Sequence, residues 1–570
     1  MKRLSFFTFS CALLFGATVQ AFDSCSRSVF VPRAQQTNAA RRTDFLQHRV
    51  MPDDTCYTFW FTPGFTRSFR SCKIAQNFFS TNCLAFSGSQ VVDRGEKDIL
   101  ADYFGLPNDF QGKACFSPTI TNLFLDSSLY LNLRWLHEDV YLKLHAPFVH
   151  TRWNMRLCPT AQDEGTAAHP AGYLSRGNQE LAREQLTSDL ESALQGKTTF
   201  GDMQDPMRFG KIGCKQTKTE LAELRAQLFW DYVKDEDRRI SFSVMLSAPT
   251  GTRRTAEHLF EPIVGNGHHW ELGCGFHGVW RVWESEQEDK SCSTLLNLNF
   301  SHLFRASQKR SFDFKENGRG SRYMLLSTLD KPRDDILRIP TDVSPEKQYT
   351  GHLFPAINKT TLDCKVSVGL QADMLFALSY QKDFWRFDLG YNLWVRTREK
   401  IKCRERFTDD KFAPKGDAQL YGFWDEGVYT GAVSRYFSVP LNVTQSEATI
   451  FNGQPDATGA YNANYTNPNA DSAEQAFDMF GIPLEYPFGT GILNINGSDP
   501  AVLLTDGSVD ECSALSPRAS SSKLFAACHY VCESREQWDP YVGAGFEIEF
   551  GHSRYALSQV GLWLTLGLSY

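Results

Sequence analysis

Residues 364–395 constrain the fold more than any other stretch of the chain. Cys364, Val366, Val368, Leu370, Ala372, Met374, Phe376 and Leu378 alternate with smaller or polar residues. Gln381, Lys382 and Asp383 make a turn, and Trp385, Phe387, Leu389, Tyr391, Leu393 and Val395 alternate on the way back. A period of two places one apolar and one polar face on each strand of a long antiparallel hairpin. The plan recurs. Leu129–Trp135 returns at Val140 through Phe148 across His137, Glu138 and Asp139, and Leu224–Tyr232 returns at Ile240 through Ala248. Residues 270–283 pair in pattern with 294–304, and 522–532 with 541–550. One earlier aromatic-rich strand at 56–69, weakened by the missing ladder donor of Pro63, and a last strand at 560–570 bring the expected count to twelve antiparallel strands. The count is fourteen if residues 70–127 hide another pair.

The connections have two lengths. Turns inside the hairpins are short, whereas the stretches between them are long: 158–218, 251–267, 306–361 and 404–520. Trp135, Trp230, Tyr232, Trp280, Trp283, Tyr380, Trp385 and Trp538 lie beside the short turns. Short turns at one end, long loops at the other and an aromatic rim are features of transmembrane β-barrels. In the final strand Val560, Leu562, Leu564, Leu566, Leu568 and Tyr570 share one face, and about ten residues suffice for a tilted strand to cross a bilayer.

With these residues in view, the chain resembles bacterial outer-membrane β-barrel proteins, similar in plan to porins and to the fatty-acid and aromatic-compound transport barrels. The resemblance covers residues 56–570 and implies an all-β fold, an outer-membrane location in a Gram-negative-type bacterium, and contact with outer-membrane lipid. It also implies that Leu566, Leu568 and Tyr570 form the terminal signal read by the outer-membrane assembly machinery. The signal usually carries a glycine where this chain has Thr565.

Composition agrees. Net charge is −7, too small and too acidic for a nucleic-acid partner. Hydrophobic residues make up 42% and aromatic residues 13%, suiting strands of which only alternate residues face lipid. Lys2 and Arg3, an apolar run and Ala21 read as a signal peptide over residues 1–21. Residues 22–55 read as an N-terminal arm or a lumen plug. Beyond residue 21 no run of 18 uncharged apolar residues occurs. Loss of Cys11 leaves 14 cysteines in an exported chain, so disulfides are expected. Cys158 with Cys214, and Cys364 with Cys403, stand where bridges clamp loops.

Placing the apolar faces outward assigns the interior. Arg134, Lys143, Arg225, Arg281, Lys365, Arg386 and Arg396 are the expected lumen cations. Asp231, Glu271, Asp373, Asp388, Glu547 and Glu549 are the expected anions. A mixed-charge interior suits passage of small solutes. The alternative is a plugged barrel that acts as an adhesin or displays its loops, chiefly 404–520. Ser243, Ser301, His145 and His277 also face inward, but neither Gly-x-Ser-x-Gly nor His-Glu-x-x-His is present, so no catalytic residue, metal ligand or cofactor is assigned. The segment 178–195 has leucines at helical spacing and is an expected loop helix.

Overall fold

The computed structural model describes residues 26–35, 38–46, 56–170, 172–175, 181–213, 215–287, 289–331, 347–416, 420–425, 436–440, 444–453, 502–531 and 539–570. The signal segment 1–21, Cys214, Trp538 and much of the 404–520 loop lie outside them.

Twelve antiparallel strands form the wall. They are β1 (Tyr57–Phe69), β2 (Thr119–Asn132), β3 (Val140–Asn154), β4 (Leu224–Lys234), β5 (Arg238–Ala248) and β6 (Glu271–Glu284). The second half comprises β7 (Lys290–Ser311), β8 (Thr361–Lys382), β9 (Trp385–Arg396), β10 (Ala519–Val531), β11 (Asp539–Gly551) and β12 (Ser558–Ser569). Each strand pairs with its neighbours in sequence, and β1 pairs with β12, so the sheet closes with no free edge.

The first pairing carries the mark of its proline. The ladder from β1 to β2 runs unbroken through Thr62 and Pro63, whereas that from β1 to β12 skips both residues. Tyr57 and Tyr570 tie the seam at the short-turn end: the Tyr570 N–H donates to the Tyr57 carbonyl at 2.9 Å and the rings stack 5.0 Å apart.

The apolar faces point outward, as the alternation requires. Phe59, Phe61, Leu228, Phe242, Val244, Phe376, Leu389, Leu562, Leu564 and Leu566 are all exposed. Trp135, Trp230, Tyr232, Trp283, Tyr380 and Trp385 ring the short-turn end. No helix among the described residues is long and apolar enough to cross a membrane.

At the other end the long loops do not splay. They fold into one cap with a continuous apolar core drawn from every long connection. Phe78, Phe86 and Phe110 come from residues 70–118, Leu190 and Leu194 from 155–223, Phe260 from 249–270, Met324, Leu353 and Ile357 from 312–360, and Ile450 from 397–518. Cys364 and Cys403 are bridged, joining β8 to the strand Glu399–Cys403.

Two expectations are corrected here. Residues 70–127 add no wall pair: 119–127 are the outer half of β2, and 70–118 belong to the cap. Within 70–118, Ser71–Phe79 is a helix, because Ile74, Ala75 and Phe78 recur at helical spacing into the cap core, and Cys83–Ser87 is a strand of the cap. In 178–195 only Leu190–Leu194 is α-helical among the described residues; Asp189 caps its start and Gly196, at φ 68°, ends it.

Candidate functional site: the plugged lumen

The barrel interior is occupied by the chain's own N-terminal segment. Residues 26–30 are embedded in the cap. The Ser28 N–H donates to the Ser513 carbonyl and Asn77 Nδ2 to the Val29 carbonyl, while Phe30, 1% exposed, packs against Phe78 and Trp153. Within the lumen, Ala39–Leu46 forms a 3-10 helix.

Two arginines of this segment meet acids of the wall. Arg33 lies 2.9 Å from Asp373 and 3.3 Å from Glu549. Arg41 lies 2.8 Å from Glu547 and 3.7 Å from Asp126, with its guanidinium 3.7 Å over the Phe124 ring. Asn38 Nδ2 donates to Glu547 at 2.9 Å and Thr43 Oγ1 to Asp388 at 2.8 Å. From the wall, Lys523 Nζ stands 3.1 Å from Glu547 and 3.6 Å from Glu549. All of these charged groups are buried. A buried ion stays charged only when paired and hydrogen-bonded. In this cluster the wall offers one lysine against Asp126, Asp373, Glu547 and Glu549; Arg33 and Arg41 from the plug offset two of the three uncompensated charges.

Aromatic rings fill the space between these polar contacts. Trp60, Phe124, Tyr130, Tyr141, Phe229, Tyr541 and Trp563 pack around Ala39 and Ala40. Glycines on neighbouring strands make room. Trp563 on β12 stands opposite Gly64 on β1 and Gly545 on β11, and a Cβ at Gly545 would lie 2.2 Å from the Trp563 ring. Between Ala39 and the wall of β3 to β8 remains a polar cavity of about 30 Å3, lined by Lys143, Arg225, Gln227, Asn297, Asn299 and Gln371 among others. That space holds one or two waters.

The remaining inward charges pair along the wall. Arg225 lies 3.1 Å from Glu271, Arg239 2.6 Å from Asp231 and Arg386 3.2 Å from Asp388. Lys143 Nζ sits 5.6 Å over the Trp60 ring, and Arg396 donates to Ser516 Oγ near the cap. Arg134 is corrected: β2 ends at Asn132, so Arg134 lies in the exposed turn rather than on the lumen wall. Arg281 is likewise at the short-turn rim, 2.8 Å from Glu284. Cys158 carries a free, exposed thiol.

Ser243 and His277 come together, with Oγ 2.8 Å from Nε2. Gln227 also donates to the Ser243 hydroxyl at 2.9 Å, which places the pair in an amide network. Among the described residues no group of three His, Cys, Asp or Glu side chains is arranged to hold a metal ion.

Sequence reasoning assigned Glu547, Glu549, Asp373 and Asp388 to the interior but gave them no partner. It passed over Arg33, Asn38, Arg41 and Thr43, whose stretch has no period to read. It also missed Asp126, although Leu123 and Leu125 beside it already show the alternation.

Fold and site together define a closed twelve-stranded β-barrel whose lumen is filled by its own N-terminal segment. No protein-family model matches the chain, and no curated protein sequence matches it. Solved structures similar to it include an outer membrane channel from Pseudomonas putida F1, at 7% identity over 90% of this chain and 96% of that one, with a TM-score of 0.31. The Pseudomonas putida toluene transporter TodX follows at 7% identity over 96% and 97%, TM-score 0.28. A Pseudomonas aeruginosa FadL homologue is similar at 8% identity over 90% of each chain, TM-score 0.25. At these scores the barrel rests on the chain's own strand pairing.

Proposed function

We propose that the protein is an outer-membrane channel for small polar solutes that its N-terminal segment holds shut. The carrying observation is that Arg33, Asn38, Arg41 and Thr43 meet the wall inside the lumen through ion pairs and hydrogen bonds. Such contacts are broken and remade at modest net free-energy change when water replaces them, unlike an apolar seal. The outward apolar band, the aromatic rim and the closed edge support a bilayer location, with the cap outside, the short turns in the periplasm and Leu566, Leu568 and Tyr570 available to the assembly machinery.

Proteoliposome swelling tests the transport reading. Liposomes carrying a chain from which residues 26–46 are deleted should swell rapidly in small sugars and progressively less as solute size grows; the full chain should stay near the protein-free rate. Equal background rates for both chains would falsify the channel.

A second reading has its own support in the cap, whose main apolar core is drawn from every long connection, as a surface-display protein requires. It predicts background swelling for every variant. The orientation is checked on intact cells with single cysteines introduced into a chain stripped of its other exposed thiols. A membrane-impermeant maleimide should label position 92 in the cap and miss positions 381–383. Labelling of the short turn alone reverses the orientation.

A further inference from the structure

Three cysteines lie in a row on the outer surface of the cap. Cys83, Cys115 and Cys158 belong to the adjacent antiparallel strands Cys83–Ser87, Gln111–Phe116 and Leu157–Asp163, and in register Cys83 stands opposite Cys115 and Cys115 opposite Cys158. Cys83 and Cys115 are bridged, whereas Cys158 is a free, exposed thiol. Ala114 and Phe116 point into the cap core, so the three cysteines share the opposite, solvent-facing side. Residues directly opposite one another on antiparallel strands hold their Cβ atoms about 4.5–5.5 Å apart. The sheet thus aligns an attacking sulfur, the sulfur attacked and the sulfur that leaves.

We propose that this ladder is a thiol–disulfide exchange site. The Cys158 thiolate bonds to Cys115 Sγ; the bond from Cys115 to Cys83 breaks, and its electron pair departs on Cys83, which takes up the proton that Cys158 released. One disulfide and one thiol are present before and after, so no oxidant or reductant is consumed. The exchange has a mechanical result. Cys83 and Cys115 lie in the same loop, 70–118, whereas Cys158 lies in the next, 155–223. Moving the bridge releases the first strand of the cap sheet and ties two loops together above β1 to β3. The proposal is independent of the channel reading.

The three cysteines fall in separate tryptic peptides, 74–94, 114–134 and 157–176. Full-length protein in detergent is held at pH 8, portions are acid-quenched and alkylated over hours, the timescale of uncatalysed disulfide rearrangement, and linked peptides are identified by mass spectrometry. The expected result is a linked pair of 114–134 with 157–176, rising together with alkylated Cys83 at the expense of the pair of 74–94 with 114–134. Cys158→Ser should lose the new pair and keep the original one. Only the original pair at every time, with Cys158 alkylated throughout, overturns the proposal, and so does a bridge between Cys158 and Cys214.

Discussion

Replacing Glu547 by leucine should lower the stability of the folded barrel by about 3 kcal/mol, the low end of the range for breaking a buried ion pair. Glu547 is fully buried and receives Arg41 at 2.8 Å, Lys523 at 3.1 Å and Asn38 at 2.9 Å. Its loss strands two cations whose other carboxylates, Asp126 and Glu549, are at 3.7 and 3.6 Å. Those partners keep the effect at the lower end. Because Arg41 and Asn38 belong to the plug, the loss should also loosen residues 38–46. Urea unfolding followed by tryptophan fluorescence reads the first effect, and faster amide hydrogen exchange confined to the plug reads the second. Unchanged stability and exchange would remove Glu547 from the plug's anchorage.

Leu564→Arg probes the opposite face. Leu564 is 55% exposed near the middle of β12. On the surface of a water-soluble barrel, arginine at such a position changes stability by about 0.5 kcal/mol or less. At the midplane of a bilayer it costs about 2–4 kcal/mol, falling to about 0–1 kcal/mol near the interface. Leu568, close to the short-turn rim, is therefore the internal control. Refolding into lipid vesicles from urea should show a loss at 564 several times that at 568. Equal, negligible losses at both positions mean that this face does not meet lipid.

The wall was legible because its signal is local. Each hairpin announces itself through alternation and a polar turn, and the outward set from Phe59 to Leu568 follows once one face is assigned to lipid. A lumen plug was one of two readings of residues 22–55, and its contacts were not legible for the same reason. Arg33, Asn38, Arg41 and Thr43 acquire their roles from wall residues hundreds of positions away, and a segment held by scattered polar contacts needs no period. The inward aromatics were half visible. Trp563 lies on the small and polar face of β12, an apparent exception until Gly545 is found under its ring. The cap defeated local reading because its core is assembled from short pieces of five long connections, none carrying enough apolar periodicity alone.

The central claim is that residues 26–46 close an otherwise open barrel, and single-channel recording in planar bilayers tests it most directly. The full chain should insert without resolvable conductance. The chain lacking residues 26–46 should give stable open-channel steps. It should also favour cations, since deletion leaves Lys523 alone against Asp126, Asp373, Glu547 and Glu549. Open steps of equal size from both chains, or silence from both, would contradict the account.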